Sequence, residues 1–386
     1  MLKMITASTI EVDDPKIAAE DIESQIAPEI NLLKNSVGII TCSSEFIETG
    51  VLKAVNDILP FETVGMTTLA CATNEEEGLD VLSLSVYTAD DVDFSVEISS
   101  PLSKNNIEKS IKKLYDDSIS DLKQKPELAV FFGPLLSDAS SEKIIGAFHC
   151  YAEDIPVFGS MACSSSFDFD KADVLFNGES YNHSAAVLMM DGNINPRFYI
   201  STISEDKITK QKAIITNSDG SVLKEVNNLN LAEYLKTIGL SKGDGIEGSS
   251  SIPIVVDYRD GTKPSVRGIY SINDEGHAVC GGDMPMGGTL AIGMLDPEDI
   301  VKTAGEAVDA ALGKENIHGI LMFPCQARNH LLEMDYMAEM EVVNEKIGNK
   351  VPYHLAYSGG EICPSYDDKG KSVNRYHNFT FTTCII

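Results

Sequence analysis

The sequence predicts an α/β protein with mixed sheets and flanking helices, built from three strand-helix-strand-hairpin repeats in two related modules. The first observation behind this prediction is a unit that occurs three times, beginning near Val37, Leu128 and Gly319. Each copy has an apolar strand, a polar elbow, an amphipathic helix, a second strand and a small-residue loop in the same order. The second observation is that alternating apolar and polar residues follow the first two copies, which is typical of half-buried antiparallel strands.

The third copy shows the unit most clearly. Its apolar run 319–323 is short and is followed by Pro324, as expected for a buried strand. The elbow 324–328 comes next, and a helix ending at Gly348 is predicted from four apolar side chains at helical spacing: Met334, Met337, Ala338 and Val342. The second strand begins near Val351 and ends in the loop Tyr357-Ser358-Gly359-Gly360-Glu361-Ile362.

The first two copies follow the same order. In the first copy, the strand 37–42 precedes a helix, and the second strand ends at Thr67-Thr68. In the second copy, the strand 128–132 turns at Gly133-Pro134 into a helix, and the second strand runs through Gly159-Ser160. The apolar side chains that predict the two helices are Ile47, Val51, Val55 and Leu59 in the first copy and Ile144, Ile145, Phe148 and Tyr151 in the second.

The segments around the copies complete the prediction. Antiparallel hairpins are expected at 82–98 and 185–200, and an additional antiparallel section is expected near 252–295. Further helices are expected at 15–33, with an interruption at Pro28, and at 105–125, 229–238 and 296–312. Residues 241–251 are predicted to form a Gly/Ser-rich loop, and 379–382 the final strand.

Length and composition limit the class of protein. A chain of 386 residues is long enough for two modules, which we place at 1–225 and 226–386. The net charge of −29 argues against a nucleic-acid partner or an anionic membrane surface, since both would repel the chain. The N-terminus has no signal-peptide pattern, and no apolar run approaches the roughly 20 residues of a membrane helix. We therefore expect a cytoplasmic protein without membrane insertion.

Several short motifs resemble those of the FIST family. In the C-terminal half these are the elbow Pro324-Cys325-Gln326-Ala327-Arg328, the element Gly360-Glu361-Ile362 and the closing His377-Asn378-Phe379-Thr380. In the N-terminal half they are Pro156-Val157-Phe158-Gly159 and Phe176-Asn177-Gly178. The chain departs from the family pattern at Ala70-Cys71-Ala72, where a Gly-Glu-Ile element is expected, and at Leu355, where a glycine is usual.

The resemblance implies a sensory module that binds a small ligand, with an amino acid or another carboxylate metabolite as the expected ligand. Because the 386 residues contain no output domain of the kinds found in the family, we expect the signal to pass to a partner protein. Some family members are similar to haem-binding gas sensors, so a haem-based sensor is an alternative function. No cofactor is assigned from the sequence beyond this haem alternative.

The expected site lies beyond the carboxyl ends of the parallel strands, where the three elbows meet if the copies are built alike. Arg328 is the candidate for holding a carboxylate, Glu361 for receiving an ammonium group, and Arg267 is a third charged candidate. For Arg328 the alternative is a structural pair with Glu361 or a helix cap, and for Glu361 it is an internal salt bridge. The other candidates are small or polar loop residues: Cys325, Ser358, Gly359, Gly360, Gly159, Ser160, Thr67 and Thr68.

Cys325 also raises the alternative of a cysteine-dependent hydrolase or transferase, with His377 as the base. A tight elbow that tolerates only a small side chain explains this cysteine as well, and an enzyme is the less favoured function. His377 and His354 are the candidates for a metal or haem ligand. Lone histidines without a partner at ligand spacing are more often core residues.

Overall fold

The computed structural model describes residues 2–26, 33–164, 171–240 and 253–386. The predicted interruption at Pro28 and the predicted loop 241–251 lie outside these residues. Within them, the chain forms three six-stranded sheets and one eight-stranded sheet, with helices packed against them. The predicted α/β class with mixed sheets is confirmed.

The first two repeats have the same order of elements. The first consists of β1 (Leu2–Thr9), α1 (Pro15–Ile26), β2 (Asn35–Cys42), α2 (Glu45–Glu48), α3 (Val51–Asp57), β3 (Thr63–Thr67), β4 (Cys71–Ala72), β5 (Glu77–Gly78) and β6 (Leu82–Ala89). The second consists of β7 (Phe94–Ile98), α4 (Ile107–Ser120), β8 (Pro126–Gly133), α5 (Ser141–His149), β9 (Val157–Met161), β10 (Val174–Phe176), β11 (Glu179–Tyr181) and β12 (Ala186–Asp191).

The third repeat has the same order but carries an insertion after its first strand, β13 (Arg197–Ser201). The insertion comprises β14 (Ala213–Asp219), β15 (Val222–Val226), β16 (Leu229–Asn230), α6 (Leu231–Thr237), β17 (Ile254–Asp257), β18 (Ser265–Arg267), β19 (Ile269–Ile272), β20 (Ala278–Cys280) and β21 (Thr289–Ile292). The repeat then continues with α7 (Pro297–Leu312), β22 (Ile320–Pro324), α8 (Gln326–Leu331), α9 (Ala338–Ile347), β23 (Tyr353–Ala356), β24 (Glu361–Tyr366), β25 (Ser372–His377) and β26 (Phe381–Ile385).

Each repeat gives a short hairpin to the sheet of another repeat. The hairpin β4–β5 pairs with β23 of the third repeat, β10–β11 pairs with β3 of the first, and β24–β25 pairs with β9 of the second. The exchange is therefore cyclic. It places strands of both predicted modules in the same sheets, and the predicted boundary at residue 225 falls within β15 of the insertion.

The two longer hairpins predicted at 82–98 and 185–200 are wrong. β6 pairs with β1 and β2, whereas β7 pairs with β12 in the next sheet. In the same way β12 pairs with β7 and β8, whereas β13 pairs with β26. The turns at these positions connect successive repeats, so the strands on either side enter different sheets. β6 is buried along its whole length because its serine face also packs inside the protein.

The predicted helix through Met334 is also wrong at its start. α8 ends at Leu331, Glu333 has a positive φ of 51°, and Met334 lies 90% exposed in a short 3₁₀ turn. A left-handed residue interrupts the helical hydrogen-bond pattern, so the long helix begins only at Ala338. The predicted antiparallel section near 252–295 is present but larger, because β14 and β15 join the same sheet.

The parallel strands form the centre of the molecule. β2 pairs parallel to β3, β8 to β9, and β22 to β23. The inner faces of their three sheets meet in one core, where the Phe158 and Phe323 rings stack with their centroids 5.2 Å apart. The outer faces are covered by α1 and α3, by α4 and α5, and by α7 and α9. Burial on both faces explains the continuous apolar runs of these strands.

No helix among the described residues is both long and apolar enough to cross a membrane.

Candidate functional site

The carboxyl ends of the parallel strands meet in the interior. Each elbow accepts an equivalent hydrogen bond from the strand beside it. The donors are Thr68 N, Ala162 N and Ser358 N, and the acceptors are, in the same order, the carbonyl oxygens of residues 42, 133 and 324, over 2.8–2.9 Å. Neighbouring repeats are also joined, since Cys163 N donates to Thr67 O and Gly359 N donates to Met161 O. We call these contacting strand ends, residues 67–68, 159–163 and 357–361, the central seam.

The seam brings most of the small and polar candidate residues together, but their polar groups are already bonded. Thr68 Oγ1 donates to Tyr357 O over 2.8 Å, and Ser160 Oγ donates to Met161 O over 2.9 Å. Ser358 Oγ accepts from Gly360 N over 2.9 Å. Thr67, Thr68, Ser160 and Ser358 are all buried. The seam therefore joins the repeats, and any ligand must enter beside it.

Arg328 lies fully buried below its elbow and forms an ion pair with Glu339 of α9. Its Nε and Nη2 donate to Glu339 Oε1 over 2.9 and 2.6 Å, and Nη2 also reaches Thr303 Oγ1 and Ile300 O at 3.0 Å. Tyr357 donates its hydroxyl to the other oxygen of Glu339 over 3.0 Å. This geometry favours the internal salt bridge, although the partner is Glu339 and not Glu361.

Glu361 occupies the start of β24 and is fully buried. Its Oε2 accepts from Thr380 Oγ1 over 2.7 Å and from Thr380 N over 3.2 Å, whereas its Oε1 has no donor among the described residues. Burial raises the pKa of Glu361 from 4.5 to about 8, although contacts with Thr380 and Cys325 and the charge of Arg328 oppose the rise. The carboxyl group is therefore protonated near neutral pH and can donate a hydrogen bond.

This raised pKa predicts a pH dependence of stability. Between pH 4.5 and about 8 the folded protein keeps a proton on Glu361 that the unfolded chain has released. The free energy of unfolding should therefore fall with rising pH across this window, by up to about 1.4 kcal/mol per pH unit. Glu361→Gln is neutral throughout, so its stability relative to the parent should increase from pH 5 to pH 8 in urea titrations. Glu23→Gln, at an exposed position of α1, is the control, and parallel profiles for Glu361→Gln and the parent would refute the assignment.

Cys325 and His377 do not form the pair that cysteine catalysis requires. Burial and then the Glu361 carboxylate raise the pKa of the Cys325 thiol well above its usual value, which disfavours a thiolate. His377 Nε2 lies 3.1 Å from Cys363 O, and burial, followed by the charge of Arg267, lowers the pKa of His377 to about 3. These positions favour the interpretation of Cys325 as a small elbow residue.

His354 lies in the central core between two hydroxyl groups. Its Nε2 is 2.8 Å from Thr41 Oγ1 and its Nδ1 is 2.7 Å from Ser85 Oγ, and burial lowers its pKa to about 3. Both ring nitrogens are therefore occupied, as in a core histidine. Among the described residues, no group of three or more His, Cys, Asp or Glu side chains is placed to hold a metal ion.

Arg267 connects the insertion to the second repeat. Its Nη2 donates to Tyr258 Oη over 2.6 Å and to Glu142 Oε2 over 3.2 Å, and its side chain is fully buried. Glu142 is the second residue of α5, and its Oε2 also accepts from Asp283 N over 2.9 Å. Arg267 thus holds the insertion against the start of α5.

An open cleft of about 390 Å³ lies where the insertion meets the second repeat. One wall is the loop that follows the predicted elbow Gly133-Pro134, together with the first turn of α5. The other wall is the insertion, through the turn 219–222 and the segment 279–283. The size is within the usual range for small-ligand sites, and the position is beyond the carboxyl end of β8.

The two walls differ in charge, since the insertion wall is acidic and the α5 wall carries Lys143 together with Asp138, whose Oδ2 accepts from Lys104 N over 3.1 Å. α5 begins at Ser141, where the helix start carries partial positive charge although the Ser140 side chain caps the amide of Lys143, and the Lys143 side chain lies exposed in the same turn. Asp219 and Asp283 line the opposite wall. Asp219 is 80% exposed and only 3.5 Å from Lys224, whereas Asp283 Oδ1 accepts from Ser140 Oγ over 2.8 Å. The cleft can therefore receive an anionic and a cationic group of one ligand.

The inner end of the cleft is aromatic and reaches the seam. Tyr376 and Tyr270 both line the cleft, and Tyr376 donates its hydroxyl to Gly359 O over 3.2 Å. A side chain at Gly360 would place its Cβ 2.0 Å from this hydroxyl, so the glycine allows the contact. Asn378 Oδ1 is buried, has no donor within the part of the chain that the structure describes, and lies beside Gly281 of the cleft wall. It supplies an acceptor next to the cleft.

Sequence reasoning missed the residues that line this cleft. Ser140 before Ser141-Glu142-Lys143 has the pattern of a helix start, which could have identified the turn. Gly281-Gly282 has the composition of an ordinary turn between strands, which does not indicate a ligand site. The contributions of Asp219, Tyr270 and Asp283 depend on how the insertion packs, and no local pattern in the sequence indicates this packing.

The fold and the cleft define an α/β protein of three repeats joined by exchanged hairpins, with an inserted antiparallel sheet. The chain matches the FIST N domain over residues 36–229 and the FIST C domain over 230–364, and it belongs to the FIST family. FIST domains are sensory domains with a role in small-ligand binding.

The comparison with solved structures finds similarity to the crystal structure of a cyanuric acid hydrolase from A. caulinodans. The two chains are 9% identical with a TM-score of 0.38, over 100% of this chain and 98% of the other. No curated protein matches the sequence.

Proposed function

We propose that this FIST protein senses an amino acid or a related amino carboxylate, which binds in the cleft between α5 and the insertion. The observation that carries the proposal is the placement of Lys143 and the start of α5 opposite Asp219 and Asp283 across a cleft of about 390 Å³. The ligand carboxylate lies at the first turn of α5 beside Lys143, and its ammonium group faces Asp219 and Asp283. The amides of a helix start favour an anion, and the carboxylates favour a cation.

The same contacts offer a route for the signal. Glu142 follows the first residue of α5 and contacts Arg267, Tyr258 and Asp283 of the insertion. A ligand at the start of α5 therefore contacts both the second repeat and the insertion, which Glu142 joins. We propose that binding changes the position of the insertion relative to the second repeat and that a partner protein recognises this change.

The experiment is a thermal-unfolding screen of the purified protein with the common amino acids and with organic acids that lack an amino group. A ligand present at 100 times its Kd should stabilise the folded state by about 2.7 kcal/mol. Lys143→Gln and Asp219→Asn should each weaken the binding about tenfold, because each removes one charge-assisted contact.

Lys53→Gln is the matched control, since Lys53 lies 60% exposed on α3, a helix of the first repeat. It should leave ligand affinity unchanged. The proposal fails if no amino acid stabilises the protein. It also fails if Lys143→Gln and Asp219→Asn bind a stabilising ligand as tightly as the parent.

A further inference from the structure

The cleft also has an apolar surface, which the charged groups do not explain. Leu135 and Leu136 contribute to it from the loop after β8, and Val222, Val279 and Tyr270 contribute from the insertion. Val279 is 38% exposed and Tyr270 is 42% exposed, although both belong to strands. Exposed apolar side chains that share one concave surface are typical of a binding site.

Strand pairing makes this surface continuous. Val222 and Val279 are direct cross-strand partners in β15 and β20, so their side chains lie side by side. Ala278 and Cys280 on either side of Val279 are buried in the core of the insertion. The alternation of β20 therefore directs Val279 away from that core and into the cleft.

Tyr270 reaches the same surface because of a β-bulge. β19 pairs with β20 through Ile269 and Ser271, and the register shifts between these two residues, which leaves Tyr270 as the extra residue. Its ring lines the cleft, while burial of its hydroxyl end raises its pKa to about 12. A bulge that redirects one side chain is a common feature beside binding sites.

Two hydrogen bonds join the two walls of the cleft. Ser140 Oγ donates to Asp283 Oδ1 over 2.8 Å, and Asp283 N donates to Glu142 Oε2 over 2.9 Å. Both bonds cross from the start of α5 to the insertion. The apolar surface is therefore already formed before a ligand arrives, and little ordering is needed on binding.

We infer that this surface is a subsite for a large apolar or aromatic amino-acid side chain, which makes the ligand a bulky apolar amino acid. The inference rests on the proposed function, which supplies the contacts for the carboxylate and the ammonium group. The charged walls hold the backbone groups of the ligand, and its side chain packs on Val279, Val222 and the Tyr270 ring. Aromatic rings bury a large area and pair well with a tyrosine ring.

The protein has no tryptophan, so L-tryptophan, excited on the long-wavelength side of tyrosine absorption, can serve as a fluorescent probe without tryptophan emission from the protein. Its emission should shift to shorter wavelength on binding, and L-phenylalanine should displace it at a concentration at least about tenfold lower than L-alanine. Val279→Ser should reduce the affinity for L-phenylalanine several-fold and leave that for L-alanine unchanged. Ile214→Ser, at a strand position 46% exposed outside the cleft, is the matched control.

Calorimetric titration with both amino acids separates the outcomes. Equal affinities for L-phenylalanine and L-alanine would overturn the apolar subsite and leave the proposed amino-acid site intact. The absence of heat from either amino acid would overturn the proposed function itself. Thermal unfolding of Val279→Ser without ligand should match that of the parent, which shows that a lost preference is not a folding defect.

Discussion

Glu339→Ala should lower the free energy of unfolding by about 3–5 kcal/mol, the range measured when one partner of a buried ion pair is removed. Both side chains of the Arg328–Glu339 pair are 0% exposed, so the substitution leaves a guanidinium group in the interior without its carboxylate. Tyr357 would also lose the acceptor of its hydroxyl. Urea unfolding monitored by circular dichroism measures the change.

The double substitution Arg328→Met with Glu339→Leu should recover most of this loss, because it removes both charges together. Asp116→Ala is the control for an exposed pair, since Lys112 and Asp116 are each more than half exposed, and it should cost less than about 1 kcal/mol. A Glu339→Ala protein with unchanged stability and lost ligand binding would contradict the structural role and return Arg328 to the ligand site.

Gly159→Ala should destabilise the protein by about 3 kcal/mol, because the new methyl group has no space between β8 and β9. A Cβ at this position would lie 1.9 Å from Phe131 O, a backbone atom of the neighbouring strand. Backbone cannot move aside without opening the parallel pair that ends at the central seam. Gly65 has the same position in the first repeat, where a Cβ would lie 1.7 Å from Ile40 O.

Gly146→Ala is the matched control for this substitution. Gly146 lies inside α5, and a Cβ there would meet nothing within 4 Å. Alanine should therefore stabilise the helix by about 0.5–1 kcal/mol. Thermal unfolding of the two variants should move in opposite directions, and a Gly159→Ala protein as stable as Gly146→Ala would show that the two strands can separate without cost.

The repeated unit could be predicted from the sequence because its signals are local. A strand buried on both faces is a continuous apolar run, and the elbow and helix that follow it have their own residue preferences. The partners of the other strands could not be predicted, because pairing between repeats leaves no local pattern. β6 and β7 are adjacent in sequence and have the composition of a hairpin, yet they lie in different sheets.

The same distinction applies to the candidate site. The glycines and hydroxyl residues of the elbows do meet, but they meet as a buried seam that joins the repeats. The exchanged hairpins place Glu361, Cys71 and Val174 at equivalent points, opposite Ser160, Ala356 and Met66. Among these three positions only Glu361 is a carboxylic acid, so the carboxyl group comes from the third repeat. The departure at Ala70-Cys71-Ala72 therefore replaces a carboxyl group by a thiol without removing the hairpin.

We expect the ligand to occupy the cleft between α5 and the insertion. Crystals soaked with L-phenylalanine test it most directly. We predict difference density with its carboxylate at the first turn of α5 and Lys143, its ammonium group facing Asp219 and Asp283, and its ring on Val279 and Tyr270. The proposed placement would be wrong if the ligand bound with full occupancy at another place, for example beside Arg328, and left the cleft unchanged.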